Sequence, residues 1–536
     1  MGNRLYKKYI LLLFGLSFFC PIVSSASGLL YGKIIYQTDD SFILQYGNLG
    51  NADFYNCAVG SLACADVGKS LPALSGNQNS AVSPHFSFST TSIWKNNIHT
   101  RIFYLKNNMT GRVYTQSYRA PFWDALGDEG TIVAFSPDDK KMVYQDDASG
   151  YPVLYQLDLT KLIGKTFRGQ KIFAQSFSIS GFTFGSANDL YFMSNKDGPY
   201  QWNLYQYDFA EKTTALIAQN VSYAFRIRKF SNGFTFFAIQ GAASFPMFYN
   251  LATNQIQNFS GLPVDDSPVV VNSQIISFGG NLRGVLLTPL NFNPQTPHQL
   301  VFWLHGGPYR QTSLGFQPYE SYAVYDLVLN ELAKNNVPVL KLDYRGSYGS
   351  GAKFAEAIRD NVGKGDVADV LTALAKIKKE ENISETYLMG NSYGGYLALR
   401  SLVAYPKKFS GAISINGVTD WASLVKSLRN SIFNADFGGL PNKKNAKLYA
   451  QASILSRISD LTDQKIILIQ AQADKTIPPA QADLLYQALK NKNKNAEFFP
   501  YPNEDHTFTK LSDIEDICKN IFTTLSLPLN NNCNFQ

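Results

Sequence analysis

From Gly28 to about Pro263 the chain is a succession of short aromatic and β-branched runs broken by polar turns, with scarcely any helical periodicity. Many short strands at even spacing predict a sandwich, a barrel or a propeller. Three self-similar stretches choose among these. FSPDDKKMVYQDDASGYPVLYQLD ends at Asp158, LYFMSNKDGPYQWNLYQYD at Asp208 and FTFFAIQGAASFPMFYNLAT at Thr253. Each has a hydrophobic run, a polar turn and a second run carrying a Tyr-Gln or Tyr-Asn pair, and they recur at about 45–50 residues, the period of a propeller blade. A β-propeller is therefore expected for this half, its blade number open: about 235 residues at about 40–45 each allow only five or six regular blades, unless some are short.

After Asp265 the pattern changes. QLVFWLHGGP, VPVLKLDYRG, ETYLMGNSYGG, SGAISING and KIILIQAQAD each hold a short apolar run followed by a turn. Between them, GDVADVLTALAKIKKE and PAQADLLYQALKNK place apolar residues at intervals of three and four, the spacing of a helix with one buried face. Strands alternating with helices predict a doubly wound, mostly parallel sheet covered on both faces. The change falls near residues 260–280, around GLPVDDSPVVVNSQ. The expected division is a propeller over 27–265 and an α/β domain over 266–536, in keeping with a chain too long for one compact core.

Aromatic residues at 14% and charged residues at 17% suit a packed, β-rich protein and not a disordered one. The opening MGNRLYKKYILLLFGLSFFCPIVSSASG has a basic start, an apolar run from Tyr9 to Phe19 and small residues from Ser24 to Ala26. That is the layout of a cleaved secretory signal peptide, here residues 1–26. The run is shorter than the roughly 20 residues of a spanning helix and Pro21 interrupts it, so no stable membrane span is expected after cleavage. The alternatives are an uncleaved anchor or lipid attachment at Cys20, although the preceding Ser-Phe-Phe is bulky for the latter. The expected location is periplasmic or extracellular. Without Arg4, Lys7 and Lys8 the net charge of +7 falls to about +4, too mild to point to nucleic acid. The remaining cysteines, Cys57, Cys64, Cys518 and Cys533, are even in number, and the close pairs Cys57–Cys64 and Cys518–Cys533 are the favoured disulfides of three connectivities, against free buried thiols. No CxxC or His/Cys cluster suggests a metal, and no cofactor is expected.

The candidate chemistry centres on GNSYGGY, residues 390–396. YLMG reads as a strand end and YLALRSLVAY as a helix, so Ser392 lies on the tight turn of a Gly-x-Ser-x-Gly nucleophile elbow, with Gly390 and Gly394 letting strand and helix approach. A serine hydroxyl needs a base, usually a histidine oriented by a carboxylate. In an α/β-hydrolase the order is Ser, then Asp or Glu, then His. Of the five histidines, His85, His99, His298 and His305 precede the serine and only His506, in YPNEDHTF, follows it. His85 and His99 are expected to be surface or packing residues of the propeller. Asp474, directly after the run KIILIQAQA, is the expected carboxylate; Asp505 is the rival, but neighbours in an extended loop point in different directions. Backbone N–H donors for a tetrahedral oxyanion are expected from Tyr393 and from the loop His305-Gly306-Gly307-Pro308. Pro308 has no N–H, which leaves Gly307 as the donor, with Gly306 as the alternative.

With these residues in place the chain resembles the prolyl oligopeptidase family of serine peptidases, particularly its acylaminoacyl-peptidase and dipeptidyl-peptidase-like branches. The resemblance is carried by HGGP, DYRGSYGSGAKFAEAI, GKGDVADV, GNSYGGYLALR, GVTDW, ADKTIPPAQADLLYQAL and EDHTF, over nearly all of residues 275–510. It implies a β-propeller preceding an α/β-hydrolase domain, with the propeller limiting access to an internal site. It also implies Ser392 as nucleophile, Asp474 and His506 as its partners, and HGGP as the oxyanion loop. The chain departs from the family pattern at Asn391 before the serine, at Gln470-Ala471 where many members carry His-Gly, and at EDHTF where Glu-Gly-His is commoner. No reactive group is lost, and fine specificity is what these departures touch.

Dipeptidyl peptidases of that family hold the substrate amine with a glutamate pair from the propeller. Residues 28–265 have no adjacent Glu pair, and Glu129 and Glu211 stand alone, each read as a solvated loop residue. The expected activity is that of an exported serine peptidase acting on short peptides through an acyl-enzyme. A carboxylesterase using the same triad and a non-catalytic propeller binding protein are the alternatives. The oligomeric state is not legible in the sequence.

Overall fold

The computed structural model describes residues 30–535 apart from 38–40, 49–50, 69–79, 96–97, 121–131, 149–150, 174–176, 222–226, 241–242, 264–270, 318–319, 429–432 and 531. The expected leader with Cys20, the isolated Glu129 and part of the expected domain boundary lie outside the described residues. Among the described residues no helix is long and apolar enough to cross a membrane.

Among the described residues the first half forms five four-stranded antiparallel sheets, spanning 30–68, 80–119, 133–171, 179–218 and 228–258, each a meander in sequence order. The three repeats supply the middle strands of the third, fourth and fifth sheets. Asp189–Ser194, for example, pairs in register with Asn203–Asp208. Successive residues of this strand serve opposite faces, as a pleated strand requires. Leu190 and Phe192 pack with Val143 and Leu154 of the third sheet, while Tyr191 and Met193 pack with Phe234 and Tyr249 of the fifth. Sheets buried on both faces need apolar residues at nearly every position, which accounts for the runs YFM and FTFF. The second sheet joins the third through Phe103 and Tyr144. The first joins the fifth, with Phe42 and Leu44 in one cluster with Phe230, Phe248 and Phe259. A bridge between Ala63 and Ser260 fastens these two sheets. His85 is exposed beside Asp139, and His99 is buried. Glu211 sits exposed on a turn, its N–H donating to Asp208 at 2.9 Å.

The second half is built on one eight-stranded sheet. Its strands are β1 (Val271–Gly279), β2 (Leu282–Pro289), β3 (His298–Leu304), β4 (Val339–Asp343), β5 (Ile383–Asn391), β6 (Gly411–Ile415), β7 (Lys465–Ala471) and β8 (Ala496–Tyr501). They lie in the order β1-β2-β4-β3-β5-β6-β7-β8. β3 to β8 run parallel to one another, and β1 and β2 form an antiparallel hairpin whose β2 joins β4 antiparallel. This hairpin was not among the runs singled out from the sequence; its tight turn uses Gly279 and Gly280, both at positive φ.

Helices cover both faces. On one lie α1 (Glu320–Lys334) and the C-terminal α5 (Leu511–Thr524), packed with Val301, Trp303, Ile413 and Ile467. On the other lie α2 (Gly365–Glu380), α3 (Tyr393–Ala404) and α4 (Ala480–Asn491), packed with Leu300, Phe302, Ala412 and Ile466. Cys57 and Cys64 are paired across neighbouring strands of the first sheet, and Cys518 of α5 with Cys533 of the tail.

The halves meet through the turns of the third and fourth sheets. Tyr200 donates its hydroxyl to Asp343 Oδ2 at 2.9 Å, and Gln311 donates Nε2 to the Pro199 carbonyl at 2.8 Å. Tyr151 lies against Gly351, where an added Cβ would come within 2.8 Å of its ring.

Candidate active site

Ser392 follows β5 and caps the N-terminus of α3 with φ 58° and ψ −119°, outside the regions L-residues ordinarily occupy. The turn is held by Ser392 N–H donating to the Ile415 carbonyl at 2.8 Å and by Tyr396 N–H donating to the Ser392 carbonyl at 3.1 Å. The flanking glycines have a steric cause. A Cβ on Gly394 would stand 1.8 Å from the Leu304 carbonyl oxygen, and one on Gly390 would stand 2.5 Å from both the Gly394 backbone and that same oxygen. No side chain fits where the β3 end, the β5 end and α3 converge.

Asp474 follows β7. Its Oδ1 accepts the N–H groups of Thr476 and Ile477, each at 2.8 Å, and its Oδ2 lies 2.7 Å from His506 Nδ1. The carboxylate is wholly buried, whereas the imidazole keeps 22% of its surface. Two donated N–H bonds and one ring fix the carboxylate's orientation and leave the other ring nitrogen for chemistry. The rival Asp505 is turned elsewhere. Its Oδ1 accepts the N–H groups of His506 and Lys475, at 2.7 and 3.1 Å. Those backbone donors hold its carboxyl below the ordinary range.

Polar residues that no sequence motif assigned a role hold the site together. Asn416, just after β6, donates Nδ2 to the His506 carbonyl at 3.1 Å, and its Oδ1 accepts Ala471 N–H at 2.8 Å. It thereby links the histidine loop, β7 and the strand end that holds Ser392. Glu504, almost fully buried, accepts the N–H groups of Thr509 and Lys510 and shapes the histidine loop. Asn391, the departure before the serine, is buried and donates to the Tyr325 hydroxyl at 3.1 Å. Gln470 donates to the Ala471 carbonyl at 2.9 Å. Asn416 and Glu504 carry no spacing signal, and the hydrogen bonds of Asn391 and Gln470 are visible only in the fold.

The HGGP loop leaves β3 beside Ser392. A Cβ on Gly306 would lie 3.2 Å from Ser392 Cβ, 3.2 Å from the Asn391 carbonyl oxygen and 2.9 Å from the Tyr322 hydroxyl of α1. The Gly306 carbonyl faces His305 Nδ1 at 2.8 Å, so the Gly307 N–H, on the opposite side of the same trans peptide, is directed away from that ring. Gly307 itself has φ 121°. His305 is buried and tied down: its Nε2 lies 2.8 Å from Ser347 Oγ, and its ring stacks on Tyr344 at 4.6 Å. Tyr393 directs its ring into the core, where the hydroxyl donates to Asp366 at 2.6 Å. Burial pushes that hydroxyl far above its ordinary range, with Asp366 adding to the effect. Both cysteine pairs lie away from this edge of the sheet, in the first sheet and behind α5.

The chain is similar to known proteins in part of its sequence and in its fold. The model of the prolyl oligopeptidase family matches residues 324–523. The chain is 28% identical over 243 residues to the acylamino-acid-releasing enzyme of Rattus norvegicus, covering 44% of this chain and 32% of that protein. It is 27% identical over 230 residues to dipeptidyl peptidase family member 6 of Caenorhabditis elegans, covering 41% and 30%. The chain thus spans about a third of the length of these curated relatives. Among solved structures, dipeptidyl peptidase 4 of Porphyromonas gingivalis superposes with a TM-score of 0.63 at 15% identity, over 93% of this chain and 74% of that one. A puromycin hydrolase superposes with a TM-score of 0.62 at 14% identity, over 94% and 88%. At such identities the likeness is one of fold. Residues 324–523, the stretch that is similar to the prolyl oligopeptidase family of serine peptidases, carry Ser392, Asp474 and His506.

Proposed function

We propose that this chain is an exported peptidase that hydrolyses short peptides through an acyl-enzyme on Ser392. The observation that carries the reading is the 2.7 Å contact between His506 Nδ1 and a buried Asp474 carboxylate, at the sheet edge where Ser392 is held in a strained turn. In this reading His506 takes the Ser392 proton as the hydroxyl attacks the scissile carbonyl. Asp474 keeps the ring in the tautomer with Nδ1 protonated and steadies the imidazolium. The oxyanion is met by the N–H groups of Tyr393 and Gly307, with Gly306 giving the loop room against Ser392. His506 then returns its proton to the leaving amine, and a water attacks the ester by the same route.

The five N-terminal sheets act as a propeller that restricts which substrates reach Ser392. Support comes from the meander order of every sheet and from the packing of the second on the third, third on fourth, fourth on fifth and first on fifth. The propeller covers 27–265 and the hydrolase domain 266–536, consistent with the fifth sheet ending at Asn258 and β1 starting at Val271. Export rests on the leader pattern and on two cysteine pairs at bonding distance. One named relative is an acylamino-acid-releasing enzyme and another a dipeptidyl peptidase family member, so substrates cleaved near the N-terminus are the first to try.

A fluorophosphonate probe is expected to label the purified chain once, with no labelling of Ser392→Ala; labelling that survives this change would sink the assignment. Incubation with a mixed peptide library, read by mass spectrometry, then gives end preference, residue preference and length limit together.

A further inference from the structure

Behind the nucleophile helix lies a cavity of about 240 Å³ that the reaction at Ser392 does not use. Its wall is cationic: Arg400, Arg457 and Lys364 line it, with Asp360 the one carboxylate among its lining residues. Asp360, Lys364 and Gln451 are exposed at the rim, so the space is reached from solvent. Arg400 forms the floor. It is only 8% exposed, yet its Nε and Nη1 make no hydrogen bond among the described residues. A buried guanidinium is costly unless its donors are met, and its planar fork matches the oxygens of a carboxylate or phosphate.

The chain makes room for this arrangement. Gly363, at φ +72°, forms one wall, and a Cβ there would stand 2.1 Å from the Tyr396 hydroxyl and 3.1 Å from Arg400 Nε. Any other residue would press on the side chains that form the floor. We propose that this cavity is a binding site for a compact phosphate-type oxyanion, held by Arg400 within and by Arg457 and Lys364 at the sides. The space is larger than a halide needs, and three cations against one carboxylate leave it positive.

The site has a physical connection to Ser392. Arg400 lies eight residues along α3 from the nucleophile, about 12 Å at the helical rise. Gly363 N–H donates to Asp366 Oδ2 at 3.1 Å, and the same oxygen accepts the Tyr393 hydroxyl at 2.6 Å. An anion seated on Gly363 and Arg400 thus braces both ends of the helix that begins at the catalytic turn.

The test is calorimetric titration of the full chain with inorganic phosphate and, in a separate arm, with O-phosphoserine, at ionic strength held constant with NaCl. One saturable site is expected, and the tighter arm tells whether the ligand is free or esterified phosphate. Arg457→Gln, at a half-buried position, and Lys364→Gln, at an exposed one, should each weaken binding on the order of tenfold. Arg400→Met should abolish it; should that variant not fold, the first two carry the test. Absence of a saturable site in both arms, or unchanged affinity in Arg457→Gln and Lys364→Gln, overturns the proposal. Because binding is read directly, the result stands apart from whether Ser392 is the nucleophile.

Discussion

At the residue scale the contact that matters most is a carboxylate with nothing left to do but hold a ring. Asp474 gives one oxygen to two backbone N–H groups and the other to His506. Asp474→Asn preserves the shape but favours the wrong imidazole tautomer. We expect kcat for a chromogenic aminoacyl anilide to fall about 10⁴-fold while the melting temperature stays close to that of the parent. The contact of Asp474 with His506 was legible because residue type and chain order point to it. Asn416 and Tyr322 were not, since they reach the site across the fold from a strand end and a helix that carry no motif. A second residue-scale effect concerns stability. Burial pushes the Asp436 carboxyl up to about 7, against the opposing hydrogen bond from Tyr309 and the charge of Arg359. The folded chain therefore holds this proton more tightly than the unfolded one. Its contribution to stability is full below about pH 4, is lost as pH rises towards about 7, and is constant above that. Asp436→Asn is expected to flatten this fall and to raise stability at pH 8 by a few kcal/mol in urea denaturation; an unchanged slope between about pH 4 and 7 would count against the assignment.

At the element scale the turn at Ser392 is first of all a packing solution. β3, β5 and α3 approach so closely that Gly394 faces the Leu304 carbonyl with no space for a methyl group. Backbone cannot swing aside as a long side chain does. Gly394→Ala should therefore cost about 3 kcal/mol or more in chemical denaturation, with loss of fluorophosphonate labelling even where the chain remains folded. Full stability in this variant would mean that helix and strand lie further apart. The elements themselves were read well where periodicity and burial agree. GDVADVLTALAKIKKE is the whole of α2, and the KIILIQA run is the whole of β7. The hairpin of β1 and β2 escaped notice because VNSQIISFG mixes exposed and half-buried positions on an edge strand, which blurs both the continuous run and the alternation.

On the scale of the whole molecule, the two halves share a carboxylate. Asp343 accepts the Tyr200 hydroxyl of the fourth sheet on one oxygen and Thr312 N–H on the other, and stands 3.4 Å from His305 Nε2. The loop at Ser392 and the docking of the first half are thus anchored at one point. Tyr200→Phe removes a hydrogen bond to a buried charged group, worth about 1.5–3 kcal/mol. Amide exchange is expected to quicken across residues 309–317 as well as around residue 200, with Ser392 still open to labelling. Exchange confined to the fourth sheet would show that the two halves are not coupled through Asp343. The repeat length left the number of sheets open, and the described residues form five in this half. What spacing could not convey is which sheet meets which, because the partners of the first sheet lie at the far end of its half.

That distance matters while the chain is being made. Ser260 bonds to Leu62 across 198 residues, and Phe42 and Leu44 find Phe248 and Phe259 only after the fifth sheet exists. At about 5–20 residues per second, the first sheet waits on the order of 10–40 s with an apolar face uncovered. Its neighbour across that face is the last of the five to be synthesised. The Cys57–Cys64 pair spans only seven residues and sits directly across neighbouring strands. Where an oxidising compartment lets this pair join, the bond needs only the first sheet and not its late partner.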